Sequence, residues 1–497
     1  MNPVRSAIIL GGGTAGWMCA AALGRFLPQV AVTLVESADI GIVGVGEATV
    51  PPIREFNAML GIPEGNFLQA TRATYKLGIQ FNDWHRIGHS YFHPFGAYGP
   101  GQDLGQFHQA WLALKQAGLI DPDGADRLDT YSICATAALS DRITTFSPDP
   151  ASPYSRLHSA FHFDAGLYAA FMRNYAEKRG VRRVEGEVIE TLRDAATGFV
   201  TGLRLKSGDV LEADFFVDCS GFRAVLAGDV PWIDWSHWLP MDRAWAVPCE
   251  VDHRPPYTAS SATGAGWIWR IPLQHRIGNG HVFSTAHTDE DTARKILLDR
   301  LPGKALAEPR LIRFRTGRRQ RSWDRNVVSM GLASGFIEPL ESTSIHFIQS
   351  AINRLLSHWP DQGFGPANTA LFNSRMAEDY DHVRDVIILH YHLTERDDSS
   401  LWNHVRTMAV PDSLQSRIDV FRERGMIVNK TGETFRDTSW FAIMMGQGLE
   451  PRGHSALIDA QNKDALRDSF HAVRDQITRD VAPLPTQDAF LRHHGLI

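Results

Sequence analysis

Apolar and polar positions change their spacing several times along the chain, and each change predicts an element. Ala7-Ile8-Ile9-Leu10 is an unbroken apolar run, the pattern of a strand buried on both faces. It leads straight into Gly11-Gly12-Gly13-Thr14-Ala15-Gly16. Residues 17–26 then place small and apolar side chains at helical spacing, and a second apolar run, 31–35, ends in Glu36. The order is strand, glycine turn, helix, strand, with an acid about 20 residues beyond the glycines. Residues 40–52 are glycine-rich and end in Pro51-Pro52, which predicts a structured loop. From 75 to 81 the pattern alternates. Tyr75, Leu77, Ile79 and Phe81 fall on one face of an expected strand, and Lys76, Gly78 and Gln80 on the other.

Further on, residues 165–179 carry a helical pattern. Residues 199–205 and 210–217, joined by Lys206-Ser207-Gly208-Asp209, read as a β-hairpin, and Phe215-Phe216-Val217 as a buried strand running into a loop at 218–221. A strand is expected at 327–331. A helix is expected at 344–359, with Ile345, Ile348, Ile352, Leu355, Leu356 and Trp359 on one stripe. Beyond about 360 the chain reads as mainly helical and more polar. The pattern shows no repeats and no low-complexity linker. The expected fold class is α/β, α+β overall, with a Rossmann-like module assembled from residues 1–85, 155–225 and 310–360. Substrate and β-sheet regions, 86–154 and 226–309, are inserted in it, and 361–497 forms a helical C-terminal part.

Composition narrows the class. A net charge of −6 and a pI near 6.4 give no reason to expect nucleic acid or an anionic membrane as partner. Four cysteines with no CxxC spacing make neither a disulfide framework nor a structural zinc site, so no metal is expected. No apolar run reaches the ~18 residues of a membrane span, and glycine interrupts the first segment too early for a signal peptide, so the expected location is cytoplasmic. Thirteen tryptophans and 26 phenylalanines suit an enzyme that holds flat rings.

The glycine turn is the first candidate site. Gly11 permits the tight turn, Gly13 lets a pyrophosphate approach the backbone, and Gly16 lets helix and strand pack closely. Thr14 and Ala15 open the helix whose N-terminus favours an anion, and Glu36 can accept hydrogen bonds from ribose hydroxyls. The turn alone does not separate FAD from NAD. FAD is favoured by two later segments that can close such a site, 216–221 and 331–335. In many FAD monooxygenases an aspartate stands where this chain has Leu332, and Val188 resembles the position whose backbone meets the adenine.

Four motifs in order resemble the flavin-dependent tryptophan halogenase family. GGGTAGW at 11–17 resembles its FAD motif, and GIVGVGEAT at 41–49, with Ala48, its flavin-strap loop. WIWRIP at 267–272 matches the family's WxWxIP, and FIEPLEST at 336–343 the segment with its catalytic glutamate. The resemblance implies reduced FAD supplied by a separate NADH-dependent flavin reductase, with O₂ and a halide ion, chloride or bromide, as co-reactants. Hypohalous acid forms at the flavin and travels to a small aromatic substrate of indole type. Within YKLGIQF, Lys76 would hydrogen-bond hypohalous acid or form a haloamine. Glu341 would pair with Lys76 or take the ring proton. Thr343 and Ser344 would offer backbone N–H groups to halide, although family members usually have glycine at 344. Ile345 would touch the cofactor. Trp267 and Trp269 would plug the passage between flavin and substrate, and His93, Phe95 and Trp440 would pack against the substrate ring. Residues 438–448 show no clamp for an amino-acid head group. The natural substrate, its regiochemistry and the choice between a monomer and a homodimer stay open. The alternative is an FAD-dependent monooxygenase that hydroxylates an aromatic.

Overall fold

A computed structural model describes residues 2–37, 46–99 and 104–497, with side chains from 107 onward in the last segment. The glycine-rich stretch 41–45 of the expected strap loop lies outside them. The chain divides into two units. The first gathers 1–73, 163–242 and 313–381, and the second 74–162, 243–312 and 382–497. Residues 74–85 and most of the helical C-terminal part fall in the unit that also holds 86–154 and 243–309, while 226–242 falls in the first unit.

The first unit is built on a six-stranded sheet. Its parallel strands run in the spatial order Val327–Ser329, Phe215–Asp218, Ser6–Leu10, Ala31–Glu36, Arg182–Glu185, with Trp323–Asp324 antiparallel at one edge. Parallel neighbours require crossover connections, and helix Thr14–Phe26 supplies the first. A small antiparallel sheet, Val188–Arg193, Val200–Leu205 and Val210–Glu212, lays Val188, Val200, Leu203 and Leu205 on Ile8, Leu10, Val35 and Phe216. The expected hairpin ends at Glu212, earlier than its apolar pattern predicts. Asp214 breaks the second arm: its carboxylate accepts the N–H groups of Arg5 and Ser6 at 2.8 and 3.1 Å, and its own N–H donates to Ser6 Oγ. The chain then re-enters the parallel sheet as Phe215–Asp218. The late helix also stops sooner than expected. It runs Ser344–Ser357 and buries Ile345, Ile348, Ile352 and Leu355, while Trp359 lies past its end.

In the second unit the Gly266–Pro272 strand lies between Ile277–Phe283 and Thr258–Ala262, inside a sheet that continues to Gly78–Asn82 and Ser90–Pro94. The alternating stretch 75–81 is not one strand. It breaks at Leu77, whose N–H donates to Pro256 O and whose carbonyl accepts the Phe95 N–H, both at 2.8 Å. Before the break, Thr74–Lys76 pairs antiparallel with Ala160–Phe163. After it, Gly78–Asn82 joins the larger sheet. A side chain at 78 would strike the Phe92 ring at 2.4 Å, which is why glycine follows the break. The expected polar face is thereby lost, and Lys76 is fully buried. No helix among the described residues is long and apolar enough to cross a membrane.

Candidate functional site

In the first unit the ends of three neighbouring strands converge. Cys219 N–H, after Phe215–Asp218, donates to Leu10 O. Gly11 N–H, after Ser6–Leu10, donates to Val35 O, and Met330 N–H donates to Asp218 O. Gly11 has φ +116°, and a Cβ there would lie 2.2 Å from Cys219 O, so only glycine fits. A Cβ at Gly16 would lie 1.8 Å from Gly11 O. At Gly13 it would meet nothing within 4 Å. That open space fronts a helix N-terminus with no side-chain cap, the cradle a pyrophosphate needs. The GxGxxG spacing does not single out Gly12. Its Cβ would fall 1.5 Å from Glu36 Oε2, so glycine at 12 makes room for the acid.

Glu36 ends its strand where a ribose acid belongs. Its carboxylate accepts the Trp17 indole N–H at 3.3 Å and pairs with Arg183. Further acceptor capacity remains on its two oxygens. Ala48 is buried beside partly buried Glu47. Burial, and then the negative charge of Asp164, push the Glu47 carboxyl up to about 7. Val188 opens its strand, buried. Leu332 lies in the turn Gly331–Ala333, where a Cβ on Gly331 would approach Ala15 Cβ to 3.1 Å. The closing segment thus meets the glycine turn. Buried Glu341 ends the turn Pro339–Glu341, and Ser342 follows at φ +60°. Thr343 is the N-cap of the Ser344–Ser357 helix, with no side-chain cap bond; Thr343 and Ile345 are buried, Ser344 partly so. These residues fit a bound dinucleotide of FAD type.

The second unit collects Lys76, His93, Phe95, Trp267, Trp269 and Trp440. Lys76 Nζ stands 5.3 Å from the Phe95 ring centroid, within cation–π range. Its strand is held by the C-terminal helix Gln487–His493, since Gln487 accepts the Tyr75 N–H at 2.8 Å and Phe490 meets the Tyr75 ring edge-on. Trp267 and Trp269 share one face of their strand with ring centroids 6.0 Å apart, and both are buried. Trp269 packs against Gly280, where a Cβ would sit 2.1 Å from the indole. Buried His93 on Ser90–Pro94 faces Phe435 at 6.0 Å. The Asp437–Gly446 helix carries buried Trp440, and Gly446 allows that helix to close on the Tyr91 ring.

A polar group that the sequence pattern did not reveal organises the approach to that helix. Glu433 pairs with Arg417 and lies 3.3 Å from His382 Nδ1; Arg417 stacks 4.6 Å over Trp440. His382 Nε2 accepts the Phe435 N–H at 3.2 Å, so Nδ1–H is the donor to Glu433. Burial would raise the Glu433 carboxyl, but hydrogen bonds from His382, Lys430 N–H and Arg417 outweigh it and hold it at about 2, below its usual 4.5. A lowered acid stabilises the fold above pH 4.5 and loses that contribution as pH falls toward 2. Glu433→Gln should therefore flatten the acid side of the melting-temperature profile between pH 5 and 3, measured by calorimetry.

The first unit thus holds a cradle that fits a dinucleotide of FAD type, the mark of a flavoprotein, and the second holds a buried lysine beside an aromatic ring. The comparisons make this specific. Residues 6–463 match the tryptophan halogenase family model. The tryptophan 6-halogenase SttH of Streptomyces toxytricini is 37% identical, over 98% of each chain. Among solved structures, the flavin-dependent halogenase Xcc4156 of Xanthomonas campestris matches with TM-score 0.94 and 42% identity, over 99% of this chain and 98% of that one. BrvH of Brevundimonas sp. BAL3, also a flavin-dependent halogenase, gives the same TM-score and identity over 99% of both. The chain belongs to the tryptophan halogenase family and is a flavin-dependent halogenase. The hydroxylating monooxygenase alternative is set aside by these matches. The family implies FAD, halide, an aromatic substrate and a supply of reduced flavin.

Proposed function

We propose that the enzyme halogenates a free indole-type ring without an amino-acid head group, with Lys76 and Glu341 as its catalytic residues. The observation that carries this is the complete burial of Lys76 at the Phe95 ring. An ammonium taken out of water costs several kcal/mol unless compensated, and a dry donor beside aromatic rings is suited to an oxidant that water would carry away.

Gly11, Gly13, Thr14, Ala15, Gly16, Glu36, Ala48, Val188, Leu332 and Ile345 would hold FAD, and the backbone at Thr343 and Ser344 the halide. Reduced FAD, when bound, supplies with O₂ the two-electron oxidation of halide to hypohalous acid. Trp267 and Trp269 separate that chemistry from the substrate. Lys76 donates a hydrogen bond to the oxygen of hypohalous acid, which makes the halogen electrophilic. The ring carbon bonds to halogen as the halogen–oxygen bond breaks. The hydroxide released takes a proton from the Lys76 ammonium and leaves as water, while Glu341 takes the ring proton, so protons and charge balance. His93, Phe95 and Trp440 align the ring.

Two observations support a ring without a zwitterionic head. Glu433 and Arg417, the charged pair beside Trp440, are committed to each other and to His382. Residues 438–448 also offer no second pair for an ammonium and a carboxylate. SttH is a tryptophan enzyme by name, whereas Xcc4156 and BrvH are described only as flavin-dependent halogenases. Purified enzyme would be given FAD, an NADH:flavin reductase, bromide or chloride, and indole or tryptophan in parallel. Mass spectrometry should show kcat/KM for indole at least about tenfold above tryptophan, the ~1.4 kcal/mol of an unpaired head group. Equal or greater turnover of tryptophan would refute the substrate assignment.

A further inference from the structure

His162 lies outside every motif that pointed to the reaction, yet it is fully buried between the two strands that the chemistry uses. It faces Thr74 across the ladder in which Lys76 faces Ala160. Both of its ring nitrogens are spoken for. Nδ1 lies 3.2 Å from Thr74 Oγ1, and Nε2 lies 2.9 Å from Thr258 Oγ1. Thr74 has one hydroxyl proton, and at 2.6 Å from the Pro272 carbonyl that proton goes to Pro272. Thr74 must then accept, so His162 donates from Nδ1. Nε2 is left with its lone pair and accepts from Thr258.

These bonds reach three strands. Thr74 precedes Lys76 by two residues. Pro272 closes the strand of Trp267 and Trp269. Thr258 opens the strand that pairs with it, Ser260 against Trp269 and Ala262 against Trp267. Burial, and then the Lys76 ammonium, hold the imidazole well below its ordinary pKa. A neutral ring with a single tautomer is a rigid crosslink, and it adds no positive charge opposite Lys76.

We propose that His162 is a positioning residue for Lys76, an uncharged crosslink that ties the lysine strand, through Thr74, to Thr258 on the strand paired with the double-tryptophan strand. This rests on the reading of Lys76 given above. A tether of this kind sets where the ammonium stands when the oxidant arrives. A displacement of well under 1 Å at that point changes the share of hypohalous acid that reaches the ring rather than escaping.

The test uses the full chain with flavin reductase, bromide and indole. It records kcat, KM, melting temperature, and the ratio of brominated product to free hypobromite caught by a β-diketone scavenger. His162→Phe keeps a ring and removes both hydrogen bonds. It should lower kcat by about tenfold, leave KM within about twofold, and at least double the escaped share. His162→Gln, which keeps a donor and an acceptor, should recover most of the loss. If His162→Phe does not fold, Thr258→Val, which removes only the Nε2 partner, should shift the ratio the same way. An unchanged ratio in folded variants overturns the proposal, as does a kcat that falls only with the folded fraction. Lys76→Ala, run alongside, separates the two readings. Retained bromination there overturns the role of Lys76 itself. Lost bromination with an unchanged ratio in His162→Phe overturns only the crosslink.

Discussion

Lys76→Ala should abolish halogenation while NADH and O₂ are still consumed through the flavin. Loss of a donor that acts only on the oxidant and the ring should cost about 10²–10⁴ in kcat. Lys76 is fully buried, so Lys76→Met, which keeps most of the side-chain volume, is run beside it and should show the same loss. Melting temperatures of both variants separate lost chemistry from lost fold. Product would be counted by mass spectrometry and flavin oxidation by NADH absorbance. A variant that still brominates indole at a tenth of the parent rate would remove Lys76 from the chemistry.

The second large effect divides the glycines of the first turn. Gly13→Val should fold with an unchanged melting temperature and lose at least about 100-fold in flavin affinity, ~2.7 kcal/mol. At Gly13 the protein leaves a Cβ untouched within 4 Å, so the branched side chain would enter the space we propose for the pyrophosphate. Gly16→Val should fail earlier. Its Cβ would be forced to 1.8 Å from Gly11 O, and the helix could not pack on its strand. Flavin titration by fluorescence and thermal melts of both variants separate the outcomes. Tight flavin binding by Gly13→Val would show that the cofactor does not use this turn.

The parallel core was legible because strands buried on both faces write unbroken apolar runs, as at 7–10, 31–35 and 215–217. The glycine turn was legible because its geometry admits few residue types. Across 75–81 the pattern misleads, because alternation reports which face a residue takes only while one sheet continues. Leu77 hands the chain from one sheet to another, and that handover is set by Pro256 and Phe95, far away in sequence. His162 was hidden for a related reason. In Ala160-Phe161-His162-Phe163 it looks like any buried strand residue, and its partners, Thr74 and Thr258, come from two other segments. The Glu433–Arg417–His382 group likewise joins residues 16 and 51 positions apart. Local patterns carry no trace of such pairings.

The handover at Leu77 also bears on altering this enzyme. Lys76 is laddered to Ala160, whereas Phe81 and His93 belong to the other side of the break. Residues in 79–82 and 90–94, with Gly78 kept, can therefore be exchanged to admit bulkier or differently shaped rings while the amine keeps its own anchorage. Libraries confined to those two strands should yield broadened substrate range with the halogenating step intact, a separation of selectivity from reactivity that one uninterrupted strand would not permit.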